Sequence, residues 1–312
     1  MSSSAFSTIL VLGFNFAVFA RNFPIEQEAD GQLGTYDVAI GNNGSVFVSS
    51  HTDGFIYRFS EADTLPDAPS ASNRLNPTAL SGGLSGLFLS KAQRLYAARL
   101  EQGDVVELDP VTGAVLREVA TGISCASHLA QDPLSGDLFV SSVCENAVFR
   151  LPGFESVPGS VNPEAYCVSV NGPDGLGFGS DGTLYVAALD GLDAVTGTNS
   201  AQPGKSSSLV AGASFNGLAV QDGAAGLAPY LYACDSGGDL TRYDANVSGG
   251  NPTQIFLGGQ RAEGLALDSK GNLFVTQSFG LAEIGLAGGP LIGPQPTATP
   301  TATLTPSITA TA

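Results

Sequence analysis

The sequence predicts an all-β chain folded as a β-propeller of six four-stranded antiparallel blades. Three observations lead there. The first is a phrase, made of an apolar run, a turn and a second apolar run, that occurs six times in the 312 residues. It reads YDVAIGNNGSVFVSS from Tyr36, SGLFLSKAQRLYAAR from Ser85 and SHLAQDPLSGDLFVSS from Ser127. It returns as DGLGFGSDGTLYVAA from Asp174, NGLAVQDGAAGLAPYLYAC from Asn216 and EGLALDSKGNLFVTQ from Glu263. The second is the period: anchors Val38, Leu87, Leu129, Leu176, Leu218 and Leu265 lie 49, 42, 47, 42 and 47 residues apart. That spacing suits a propeller blade and is too long for leucine-rich or hexapeptide solenoids. The third is composition. Forty Gly and 18 Pro, with 17 Phe and 8 Tyr, favour strands and turns and interrupt the windows a helix needs.

Residues 1–24 are read as strands that complete a blade, because NFAVFARNF resembles ENAVFRLPGF inside the third repeat. The alternative is a signal peptide, with Thr8 to Ala20 as its apolar core and Val18-Phe19-Ala20 before the cut. Against that, no Lys or Arg precedes the run and Asn15 interrupts it. The run is too short and broken to span a membrane as a helix.

Residues 25–293 form the propeller. Turns such as NNG, SDG and SKG put Gly where a tight hairpin needs positive φ. A third run follows, as in GFIYRFS or GDVVELD, and then a variable fourth, as in AVLREVATGI. The insertion from Ser60 to Gly83 belongs to a loop. The last repeat runs out after LAEIGL, so N-terminal strands are expected to close the sixth blade and remove its open edge. Seven blades, or terminal strands donated to a neighbouring molecule, are the alternatives. Residues 294–312 are Pro/Thr/Ala low complexity, read as a stalk or linker. Thr alternates from Thr297 to Thr305, which also suits a strand.

A net charge of −17 and a pI near 4.2 exclude nucleic acid as a partner, since phosphate binding needs clustered Lys and Arg. Cys125, Cys144, Cys167 and Cys234 show no C-x-x-C spacing and only two histidines accompany them, which argues against structural zinc. Cys125 precedes one inner strand and Cys144 follows the next strand, so these two are placed to pair, with free buried thiols as the alternative. No G-x-S-x-G elbow, P-loop, dinucleotide fingerprint or H-E-x-x-H is present.

If each phrase begins an innermost strand, the residue before its Gly-Leu lies at one mouth of the central channel. Round the ring that position holds Tyr36, Ser85, Ser127, Asp174, Asn216 and Glu263. Asp174, Asn216 and Glu263 make a hard-oxygen set suited to a divalent metal such as Ca²⁺. In the third copy His128 replaces the Gly of the phrase; His51 lies in another repeat.

On the phrases EGL at Glu263, NGL at Asn216 and PDG at Asp174, the chain resembles the SMP-30/gluconolactonase family and, more loosely, NHL-repeat propellers. The resemblance implies a divalent metal at the channel mouth that polarises a lactone carbonyl or activates water, with Asp174 as ligand or general base. The order here is Asp, Asn, Glu, whereas the family places its Glu first, and its second Asn has no counterpart. The sequence thus supports two functions. One is an exported or cell-surface propeller that binds or assembles, with itself through terminal strands or with a small molecule at the channel mouth. The alternative is a metal-dependent lactonase or ester hydrolase.

Overall fold

The computed structural model describes residues 9–10, 15–28, 31–60, 70–222, 229–257 and 260–285. They build a six-bladed β-propeller in which every strand pairing is antiparallel. Blade one comprises Thr35–Ile40, Ser45–Ser50 and Ile56–Ser60, and blade two Leu84–Leu89, Leu95–Arg99, Asp104–Leu108 and Val115–Thr121. Blade three comprises Ala126–Gln131, Leu138–Ser142, Ala147–Leu151 and Glu164–Cys167. Blade four follows with Pro173–Phe178, Leu184–Ala188, Gly191–Val195 and Ser206–Ala211. Blade five holds Gly217–Gln221, Tyr230–Cys234, Leu240–Asp244 and Thr253–Leu257, and blade six Leu265–Leu267, Asn272–Gln277 and Gly280–Gly285.

The ring is closed by the start of the chain. Asn15–Arg21 is the outer strand of blade six, pairing from Asn15 opposite Gly285 to Arg21 opposite Gly280. Just upstream, Ile9–Leu10 adds a fifth strand to blade five against Phe256 and Leu257. The N-terminal strand also wedges aromatics between blades six and one. Phe19 meets Phe274 edge-on at 5.3 Å, and Phe23 meets Tyr57 at 5.3 Å. Rings in this T-shaped geometry add to the stabilisation that burial alone supplies.

Blade one departs from the four-strand pattern. Its outer position is filled by the returning end of the insertion rather than by a full strand. Arg58 N donates to Asn73 O at 2.7 Å, Leu75 N to Ile56 O at 2.8 Å, and Ile56 N to Asn76 Oδ1 at 2.7 Å. An Asn side chain thus replaces a ladder carbonyl, which satisfies the edge without regular strand geometry.

One hydrophobic cluster lies at each of the six blade interfaces. Ala39, Phe47 and Ile56 pack on Leu84 and Leu87 between blades one and two, and Phe139 packs on Leu176 and Leu184 between blades three and four. Phe19 and Phe274 with Val38 and Val46 close the last interface. Period-2 alternation in each strand supplies both faces of these sandwiches. Cys125 and Cys144 form a disulfide with Cα atoms 5.6 Å apart, and Cys167 and Cys234 are buried free thiols. No helix among the described residues is long and apolar enough to cross a membrane. The tail, 294–312, lies outside the described residues.

Candidate functional site

In blades one to four the first two residues of the phrase do not continue the ladder regularly. Register shifts fall between Thr35 and Val38, Leu84 and Leu87, Ala126 and Leu129, and Pro173 and Leu176. Bulges of this kind re-aim side chains, here at the channel axis. The bulge amides find partners on the second strand. Asp37 N donates to Ser49 Oγ at 2.9 Å, His128 N to Ser141 Oγ at 2.9 Å, and Gly264 N to Thr276 Oγ1 at 2.7 Å.

The second phrase position is where neighbouring blades come closest. A Cβ added at Gly175 would lie 2.6 Å from Leu218 N and 2.7 Å from Asn216 O, both backbone atoms of blade five. Glycine is required by that approach. Blades one and three break the rule with Asp37 and His128, and each turns its side chain to good use. Asp37 Oδ1 accepts from Val38 N and Oδ2 from Leu87 N, both at 2.8 Å. His128 Nδ1 donates to Asp174 Oδ1 at 2.8 Å.

The layer above is polar and nearly closed. Tyr36 donates its O–H to Ser127 Oγ at 2.8 Å, and Ser127 donates in turn to Asp174 Oδ1. Ser85 Oγ donates to Ala126 O at 2.8 Å, and Asn216 Nδ2 to Ala262 O at 3.2 Å. Arg261 Nε donates to Glu263 Oε1. Ser85 and Ser127 are 0% exposed, Glu263 1%, Tyr36 4% and Asn216 9%. Two buried atoms in this region have no hydrogen-bond partner, His128 Nε2 and Glu263 Oε2. Such atoms call for an explanation in a ligand, an ion or water.

Electrostatics sharpen the roles. Burial alone would pull the His128 imidazole down, but Asp174, Asp37 and Glu263 outweigh it and hold its pKa up at about 9. His128 is therefore an imidazolium at neutral pH. Burial pushes the Asp37 carboxyl above the usual range, against the opposing pull of His128 and two backbone amides. Glu263 is raised by burial and by Asp174, with Arg261 and His128 opposing. The Tyr36 hydroxyl is held far above its ordinary value by burial and then by Asp174 and Glu263, so it stays a donor.

Beneath this layer the channel becomes a cavity of about 250 Å³. Its wall is the third phrase position of all six blades: Val38, Leu87, Leu129, Leu176, Leu218 and Leu265. Asp37 and His128 stand at its inner end, and Ile40, Leu89 and Leu267 at its outer end. The inner strands run from buried at the phrase start to half-buried at their ends, so the cavity opens on the face opposite the polar layer.

The structure therefore brings Asp174, Asn216 and Glu263 to one layer on successive blades, where Asp174 Oδ1, Asn216 Nδ2 and Glu263 Oε1 are engaged and Glu263 Oε2 is not. Asp174 faces the His128 imidazolium, and Glu263 faces the Arg261 guanidinium. Among the described residues no three His, Cys, Asp or Glu side chains gather as a metal-holding group. Two of the three expected ligands, Asp174 and Glu263, are paired with the chain's own cations, and no chemical step is routed through a metal below. His51 serves structure: Nδ1 lies 3.0 Å from Leu84 O and its ring 5.8 Å from Tyr36.

Two residues escaped the sequence reading. Asp37 occupies the Gly column in the first copy just as His128 does in the third, so aligning all six copies on that column would have found it. Arg261 left no periodic trace.

No family model matches the sequence, and no curated protein sequence matches it. Solved structures do match in fold. The chain is similar to a putative gluconolactonase at 15% identity and TM-score 0.64, covering 88% of this chain and 93% of that one. It is similar to a gluconolactonase from Xanthomonas campestris at 12% identity and TM-score 0.63, covering 89% and 91%. It is also similar to virginiamycin B lyase from Staphylococcus aureus, solved with quinupristin as a catalytically inactive histidine-to-alanine variant. That match has 12% identity and TM-score 0.56 and covers 88% and 99%. At these identities the likeness establishes the fold alone, a six-bladed β-propeller.

Proposed function

We propose that this chain is a propeller enzyme that opens an ester or lactone by acid–base chemistry at the inner end of the axial cavity. His128 is the acid and Asp37 the base. One observation carries the reading: a buried imidazolium lines the cavity with Nε2 unpartnered, opposite a carboxylate whose affinity for protons is raised. Neighbours whose environments set their proton affinities apart are the mark of acid–base assignments. Gluconolactonases among the fold's neighbours support the lactone and ester class.

The chain's own groups set the geometry. Asp174 accepts from Nδ1–H and fixes the ring, leaving Nε2–H on the far side to donate to the substrate's carbonyl oxygen. Asp37 takes the proton of a water whose oxygen bonds to the carbonyl carbon. The ring C–O bond then breaks, its electron pair stays on the leaving oxygen, and His128 supplies that oxygen's proton. The product is a hydroxy acid.

The metal-dependent form of this reading lacks support from the donor set described above. A binding or assembling role at the cell surface draws on the tail, outside the described residues, while the strands Ile9–Leu10 and Asn15–Arg21 pair within the chain. The test is hydrolysis of a lactone and ester panel by the wild type, His128→Gln and Asp37→Asn. Each variant should lose at least about 10²-fold in kcat, the usual scale of a positioned acid or base. Wild type inert on every substrate, or His128→Gln at full rate, would overturn the reading.

A further inference from the structure

We propose that the axial cavity takes a neutral aliphatic ester or lactone, not a polyhydroxylated sugar lactone, and that it enters from the face where the inner strands end. This rests on the assignment of His128 and Asp37 as acid and base.

The wall decides the ligand's body. Six aliphatic side chains, one from each blade, form a ring, with Ala39, Ala266 and the aromatic Phe88 beside them and Asp37 and His128 as the charged side chains of the lining. A sugar lactone would press several hydroxyls against that ring, stripping them of water without replacing it. A hydrocarbon body loses nothing there and gains by leaving water.

The polar end decides the ligand's head. Asp37 already accepts two backbone amides, and His128 already donates from Nδ1 to Asp174. His128 lines the cavity, and its Nε2–H is buried and without a partner, so one carbonyl oxygen at one end of the ligand would complete it. Charge decides between an ester and a free acid. Three carboxyl groups (Asp37, Asp174, Glu263) stand with two cations (His128, Arg261) at the axis, and both cations are already paired, His128 with Asp174 and Arg261 with Glu263. Among the described residues there no cation is left over to hold a free carboxylate, so a neutral carbonyl compound is accepted.

Size and exit agree. The cavity of about 250 Å³ falls below the drug-sized range of about 300–1,000 Å³, so the head group is small. At the outer rim Leu89 is shared with two further cavities. One runs toward Phe47 and Val111, the other toward Lys91 and Pro133. Both also carry polar residues, Arg58 and Gln93 in the first and Gln131, Asp132 and Glu155 in the second, so a longer alkyl tail would leave across a mixed surface. By contrast, the opposite end of the channel is shut by the Tyr36–Ser127–Asp174 chain of hydrogen bonds.

The experiment uses the full chain and three probes: δ-nonalactone, glucono-δ-lactone and the inert ketone 2-pentylcyclopentanone. Hydrolysis is followed by pH-stat and ketone binding by calorimetry. The expected result is turnover of δ-nonalactone with kcat/KM at least about tenfold above that for glucono-δ-lactone, together with measurable ketone binding. Leu176→Asn and Leu218→Asn, checked for fold by circular dichroism, should each weaken the ketone by about tenfold. Should these variants unfold, the wild-type comparison of the two lactones decides alone. Turnover of glucono-δ-lactone but not δ-nonalactone overturns this inference and leaves the acid–base reading standing. Ketone binding without turnover of either lactone keeps the cavity's ligand class and overturns the acid–base reading. Neither binding nor turnover overturns both.

Discussion

Raising the pH from 6.5 to 9.5 should destabilise the fold through one residue, His128. Its folded pKa of about 9 lies above its ordinary value of about 6.5. The folded state therefore holds the proton more tightly than the unfolded chain. Its stabilising contribution is complete below about pH 6.5 and is lost as pH rises through about 9. The gap of about 2.5 pH units, at about 1.36 kcal/mol each, is worth about 3 kcal/mol. Full burial means solvent screening subtracts little from that figure. For a domain of this size the loss corresponds to a fall in melting temperature of roughly 5–10 °C. The assay is a series of thermal melts between pH 6 and 9.5 on wild type and His128→Gln. The variant should be less stable at pH 6, because Asp37, Asp174 and Glu263 lose their imidazolium, and its pH slope should be flatter. Equal slopes for the two proteins would refute the charged-imidazolium account. Glu263 and Asp37 act in the same direction at lower pH: both carboxyls are raised, so stability falls as pH rises through their titration.

Three further outcomes are expected. Arg261→Gln leaves Glu263 as an uncompensated buried carboxylate and should cost about 3–5 kcal/mol in denaturant melts. Ca²⁺ or Mn²⁺ should then raise the melting temperature of that variant, while neither these ions nor EDTA shifts the wild type; an EDTA-sensitive wild type would contradict the placement of cations. Gly175→Ala drives a methyl into the backbone of blade five and should cost about 3 kcal/mol or prevent folding, read by circular dichroism and yield. Phe19→Ala removes the aromatic wedge between blades six and one and should cost about 3–5 kcal/mol in the same melts.

The fold was legible because a propeller writes its blade into local sequence. Alternating apolar runs, and Gly at turns such as Gly182 and Gly271 with φ of 82° and 84°, are properties of neighbouring residues. The same frame located Asp174, Asn216 and Glu263 on the ring. It did not show what faces them, since Arg261 and His128 reach their carboxylates only through the three-dimensional approach of strands. Blade one's outer edge was illegible for a similar reason: Asn76 Oδ1 stands in for a ladder carbonyl after a long insertion. The cavity's open end was hidden too. Repeat position fixes a residue's height along the axis, but which end is plugged depends on the bond from Tyr36 in blade one to Ser127 in blade three.

The most direct test of the account is a crystal structure of the full chain with the inert ketone bound. The account predicts the alkyl group inside the ring of Leu87, Leu129, Leu176 and Leu218, with the carbonyl oxygen about 2.7–3.2 Å from His128 Nε2. A ketone found on the other side of the polar layer, against Asp174 and Glu263, would contradict it.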